Sequence, residues 1–238
     1  MEFPKTNHFD KELVRSKIMG PNTLKLTEEL MDGANVPMGS VVLDLGSGCG
    51  ISSAMLAREY GLITYAADLW SDPSDNMRFL ECLGLTNREV VPIKADAANL
   101  PFAHDFFDAV VSIDSYNYFG REPGYLQSSL LPYVKSGGQI YLAIPGMVRD
   151  CHEDLPACLL ESWTPDQLEF MHDMDWWSAL FEQSSGVEIV DMHEMACTAE
   201  AWADWIACDN DYARGDRAAV QAGALDYLNT IAVMLRKL

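Results

Sequence analysis

Asp44 stands two residues before a turn with glycine at every second position, Gly46-Ser47-Gly48-Cys49-Gly50. Glycine lets a ligand approach the main chain closely, and the first N–H groups of a following helix have no partner within that helix. A carboxylate at this place would repel a bound pyrophosphate and attract an ammonium or a sulfonium. The spacing G-x-G-x-G also departs from the dinucleotide fingerprint G-x-G-x-x-G, which would need glycine at Ile51. Asp68 ends the next apolar run, one strand-helix-strand unit later, where a carboxylate can accept both hydroxyl hydrogens of a ribose. Leu69 and Trp70 follow it and are placed to pack on a base. The turn therefore suits a cofactor that carries positive charge and no phosphate, while Asp68 taken without the motif upstream reads as a helix cap.

Asp44-Leu45-Gly46-Ser47-Gly48-Cys49-Gly50 resembles motif I of the class I S-adenosylmethionine-dependent methyltransferases, of the kind acting on small molecules. The resemblance continues through Ala95-Asp96-Ala97-Ala98-Asn99-Leu100-Pro101-Phe102, through Phe107-Asp108-Ala109-Val110-Val111-Ser112, and through Leu131 to Gly138. It is close over residues 20–145 and holds in outline beyond. It implies S-adenosyl-L-methionine as cofactor, held by Asp44, Gly46, Ser47, Gly48, Gly50, Asp68, Leu69, Asp96, Ala97 and Asp114. In that scheme Asp96 with Ala97 holds the adenine amino group, and Gly20-Pro21-Asn22 lies over the cofactor. The chain departs from the family's base-methylating members in lacking an Asn/Asp-Pro-Pro-Tyr sequence after the fourth strand.

On the acceptor side the candidates are Tyr116 and Tyr118, which follow the fourth strand beside the expected methyl group, and His152, just past the fifth. A general base is needed only for an acceptor that arrives protonated, and the Tyr118 ring can face a cation. His172 and His193 are weaker candidates, and the tryptophans at 163, 176, 177, 202 and 205 read as core. Two other readings stay open: a non-catalytic module that senses S-adenosylmethionine, and an NAD-dependent oxidoreductase.

The elements that must position these residues alternate as in an α/β sheet. Apolar runs at 41–45, 62–67, 90–95, 106–113, 139–144, 187–192 and 230–235 predict seven strands, and stretches between them predict helices, among them 126–134 followed by a turn at 135–138. The expected fold is α/β, a Rossmann-like, three-layer α/β/α arrangement with a mostly parallel seven-stranded sheet and a C-terminal antiparallel strand. Pro92 argues for a sheet edge at the third strand, and the helix from Pro73 is expected to turn Asn76, Arg78 and Glu81 to solvent. The chain reads as one methyltransferase domain over 1–238. A helical cap is expected at 1–35, with helical insertions on the substrate side at 145–185 and 196–229.

Composition narrows the partners. With 16 Lys and Arg against 36 Asp and Glu, the net charge of −20 would repel a nucleic acid, leaving a small-molecule substrate. No apolar run approaches the ~20 residues of a membrane span. The cytoplasm is the expected location, with no membrane partner and with a homodimer allowed. The six cysteines show no zinc-site spacing, so no metal is expected and the thiols read as free.

Overall fold

A computed structural model describes residues 2–238. The strands are β1 (Val41–Leu45), β2 (Ile63–Asp68), β3 (Val90–Lys94), β4 (Phe107–Ile113), β5 (Val134–Met147), β6 (Val187–Glu194) and β7 (Leu228–Lys237). They form one sheet in the order β3-β2-β1-β4-β5-β7-β6. β7 alone runs against its neighbours, inserted between β5 and β6, and Pro92 lies on the edge strand β3.

Alternation along the strands explains the layers. Leu43 and Leu45 of β1, Val110 of β4 and Ile140, Leu142 and Ile144 of β5 share one face, packed with Tyr116, Trp177 and Phe181. Val42, Ala109, Val111, Tyr141 and Ala143 point the other way, against the helices Thr23–Leu30 and Ile51–Tyr60. Because both faces are covered, the central strands read as continuous apolar runs rather than alternating ones. The same alternation carries Asp44 to the face covered by the Ile51–Tyr60 helix, and its side chain is fully buried.

Strand order reverses between β1 and β4, because β2 and β3 lie on one side of β1 while β4 and β5 lie on the other. Loops leaving the strands here cannot follow the same side, so they part and leave a crevice beyond the C-terminal ends. The N-terminal segment is fastened over this end of the sheet. Glu28 accepts the Lys5 and Thr6 amides at 2.9 and 2.7 Å. Glu29 accepts the Ala196 and Cys197 amides at 2.7 and 2.8 Å, and the Asn22 amide donates to Ala201 at 3.0 Å.

Three local expectations are corrected. Residues 126–134 are not one α-helix but a wide turn, Leu126–Leu130, followed by a tight one, Leu131–Tyr133; Pro132 has no N–H to continue a helical ladder. The expected turn at 135–138 lies inside β5, where Gly137 takes a φ of 77°. Asn76 is not solvent-facing: it is only 5% exposed, turned inward from the Pro73–Cys82 helix.

Candidate functional site

The glycine turn is held from three sides. From β2, the Ala67 carbonyl accepts the Gly46 and Ser47 amides at 2.8 and 3.1 Å. At the end of β4, the Ser112 and Ser115 hydroxyls both donate to the Leu45 carbonyl, at 2.7 and 3.0 Å. From the Pro73–Cys82 helix, Asn76 Nδ2 donates to the Gly48 carbonyl at 2.8 Å. Gly46 has a φ of 77°, and a Cβ built on it would stand 2.2 Å from Ser115 Oγ. Only glycine satisfies both the backbone and the space.

A cavity of about 100 Å³ opens beside this turn, lined by Lys17, Gly20, Ser47, Gly48, Ser52 and Asp114 among others. Ser47 is 6% exposed, and its hydroxyl has no partner within the protein, which leaves a buried polar group for a ligand to satisfy. Gly20 closes the opposite wall so tightly that a Cβ there would meet Asp114 Oδ2 at 2.1 Å. Cys49 Sγ, 3.0 Å from the Lys17 carbonyl, also ties the turn to this covering segment. A larger cavity of about 500 Å³ lies under the N-terminal residues between Phe3, Phe9, Arg15 and Ile18, and touches no part of the glycine turn.

Asp44 does not line the cavity but sits one layer behind it. Its Oδ2 accepts the Ser52 and Ser53 hydroxyls at 2.6 and 2.5 Å, while Oδ1 is buried without a partner. Burial pushes its carboxyl up to about 6, against the pull of those two hydroxyls. Gly50 also serves the turn from behind: it takes a φ of 85° and faces Leu80. Asp68 accepts the Gly48 amide at 3.0 Å on one oxygen, and the Trp70 and Ser71 amides at 2.9 and 2.7 Å on the other. It therefore braces the turn, with about one lone pair, on the oxygen that Gly48 uses, left for a hydroxyl. Leu69 is 45% exposed next to it. Asp96 is exposed and accepts the Ala98 amide at 2.9 Å, and the Ala97 carbonyl accepts Tyr125 Oη at 3.0 Å. Asp114 is largely enclosed on the cavity wall, and burial, then the Asp216 carboxylate, raise it to about 7.

None of the three acceptor-side candidates is arranged as a base. Tyr116 is fully buried in an aromatic cluster, with ring centroids 5.6 Å from Phe119 and 5.8 Å from Trp177, and burial raises its phenol well above the ordinary range. Tyr118 is 58% exposed beside Phe170; burial of its hydroxyl, then Asp114 and Asp216, disfavour a phenolate. In His152 both ring nitrogens are engaged, Nδ1 with Asp150 at 2.7 Å and Nε2 with the Leu168 carbonyl at 3.1 Å. Burial opposes its charge, but these two acceptors outweigh it and raise the ring above its usual value. It clamps the 150–168 segment, with each ring nitrogen directed at an acceptor of the chain itself.

Two residues of this region were invisible in the sequence. Asn76 looks like any polar helix residue, though Asp72-Pro73 does announce the helix that carries it. Asp216, far along the chain, accepts the Trp163 and Trp205 indole N–H groups at 2.9 and 2.8 Å, and its field reaches both Asp114 and Tyr118.

The model of a methyltransferase domain family matches residues 43–142, which hold the end of β1 from Leu43, the glycine turn and every strand-end carboxylate described above. This stretch, under half of the chain, is similar to a methyltransferase domain. The methyltransferase GfsG of Streptomyces halstedii is 26% identical over 174 residues, a match covering 72% of this chain and 61% of that protein. Among solved structures, geranyl diphosphate C-methyltransferase from Streptomyces coelicolor A3(2) superposes with a TM-score of 0.71 at 14% identity, covering 90% of this chain and 79% of that one. The cyclase SpnF superposes with a TM-score of 0.67 at 18% identity, covering 90% and 80%. The chain thus shares its fold with proteins of more than one activity. Among the described residues of the chain, no helix is long and apolar enough to cross a membrane, and no three His, Cys, Asp or Glu side chains are grouped to hold a metal.

Proposed function

We propose that the chain transfers the methyl group of S-adenosyl-L-methionine to a small-molecule acceptor by in-line displacement. One observation carries the reading: at the switch in strand order, a cavity brings a buried, unpartnered Ser47 hydroxyl together with Lys17 and Asp114. Opposite charges and a free hydroxyl on one small wall suit the zwitterionic amino-acid end of this cofactor. Lys17 would meet its carboxylate, Ser47 would bond to it, and Asp114 would attract its cationic groups. Asp68 would accept ribose hydroxyls, with Leu69, Asp96 and Ala97 along the adenine. Asp44 contributes a negative field from behind the turn rather than a contact.

A sulfonium supplies an already activated methyl group, so the protein's task is to position the acceptor and exclude water. The segment Lys17–Gly20 lines the cavity on the side away from the glycine turn and shields it from water. The strongly raised phenol of Tyr116 and the engaged nitrogens of His152 fit a reaction that relies on alignment more than on a dedicated base.

The test is turnover of methyl-labelled cofactor with a panel of amines, thiols, phenols and carboxylates, alongside calorimetry with S-adenosylhomocysteine. Saturable binding with label transfer is expected. Binding without transfer to any acceptor class would favour a sensor, and absence of binding would end the proposal. Affinity for the cationic cofactor should rise as pH passes about 7, where Asp114 ionises, and Asp114→Asn should flatten that rise.

A further inference from the structure

Beyond the ends of β4 and β5, several polar side chains are buried with nothing to bond to. Tyr116 and Trp177 are fully buried and Asn229 is 7% exposed, yet Tyr116 Oη, Trp177 Nε1 and both amide atoms of Asn229 lack a hydrogen-bond partner. Native proteins leave few such groups, because each forfeits its bonds to water. These belong to one neighbourhood. The Tyr116 and Trp177 rings lie 5.8 Å apart, and His172 packs edge-on to Trp177 at 6.3 Å. A Cβ built on Gly146 would stand 2.7 Å from the His172 carbonyl and 3.1 Å from Asn229 Oδ1.

Arg121 adds a charge. Its guanidinium lies 4.3 Å over the Phe170 ring, two residues before His172, and its Nε is buried without a partner. Among the described residues it has no ion pair, in a chain with 36 acidic side chains. The groups left open are therefore mostly donors: a phenol, an indole N–H, an amide and a guanidinium N–H. Such a set is complementary to an oxyanion, and an arginine fork suits a planar carboxylate.

We propose that Tyr116, Trp177, Asn229 and Arg121 bind a carboxylate carried by the acceptor, and so restrict the substrates to small carboxylic acids. This rests on the methyltransferase reading for its meaning, since it names the class of molecule methylated at that site. It also changes the role of Tyr116, from a candidate base to a hydrogen-bond donor that orients the acceptor.

The test titrates benzoate and butanoate, each against its primary amide, onto the protein loaded with S-adenosylhomocysteine, read by ligand-observed NMR. The carboxylates should bind about tenfold or more tighter than the amides. Arg121→Gln should erase that preference, and Tyr116→Phe should weaken carboxylate binding about threefold or more while homocysteine-nucleoside affinity stays unchanged. Equal binding of acid and amide would overturn the proposal, as would no saturable binding of either. So would a Tyr116→Phe variant that binds as tightly as the parent, which would mean that ordered water fills these groups. If S-adenosylhomocysteine itself fails to bind, the methyltransferase reading falls, and the same titration on the unloaded protein still decides whether a carboxylate site exists.

Discussion

Asp44→Asn should make this protein more stable and a poorer cofactor binder, with a pH dependence that identifies the cause. Asp44 is fully buried, and its carboxyl is raised from the ordinary 3.8 to about 6, first by desolvation. The folded chain therefore holds this proton more tightly than the unfolded chain. The contribution to stability is complete below about pH 4 and is lost as pH rises through about 6. Linkage between those two values gives a penalty of about 1.6 kcal/mol at pH 5 and about 3 kcal/mol at pH 7.5. Asparagine is neutral throughout and can still accept from one serine while donating to the other. Its stability relative to the parent should thus improve by about 1.4 kcal/mol between pH 5 and pH 7.5. Urea unfolding at both pH values, followed by tryptophan fluorescence, measures that difference, and calorimetry should show weaker S-adenosylmethionine binding. A stability difference that is the same at both pH values would refute the reasoning, because it would mean that the carboxylate pays no desolvation penalty in the folded chain.

Other substitutions probe the brace around the turn. Asp68→Ala removes the acceptor of three backbone amides and should weaken S-adenosylhomocysteine binding by about 1–3 kcal/mol; calorimetry giving an unchanged affinity would count against the ribose role. Asn76→Ala frees the Gly48 carbonyl and should cost about 1–3 kcal/mol of stability, visible as a lowered urea midpoint, together with weaker cofactor binding. Gly46→Ala should lower the melting temperature even without cofactor, since its Cβ would press on Ser115; an unchanged apo melting curve would show that the turn can shift to admit it. A bulkier residue there tests folding as much as binding.

The sheet was legible in the sequence because its signals are local. Val41–Leu45, the alternate glycines and the strand-end acids Asp68 and Asp96 are each set by a few consecutive residues whose backbone needs are specific. Pro92 placed β3 at an edge for the same reason, since a missing N–H cannot be hidden in a central strand. Asn76 illustrates the opposite case. Its burial depends on the helix phase relative to a glycine turn 28 residues earlier, and nothing in its neighbours records that. His152 carries an imidazole that could act as a base, but the chain brings it Asp150 and the Leu168 carbonyl, and both nitrogens are engaged.

What the sequence determined by itself, then, was the alternation of strands and helices and the glycine turn between the first strand and its helix, because period and backbone freedom are properties of short stretches. Tertiary structure alone decided that Asp44 lies behind the turn, that Asp216 comes within the field of Asp114, and that Tyr116, Trp177 and Asn229 are left with open hydrogen bonds. Those outcomes depend on which distant segments meet beyond the strand ends, and burial and partner choice are set only where the chain closes on itself.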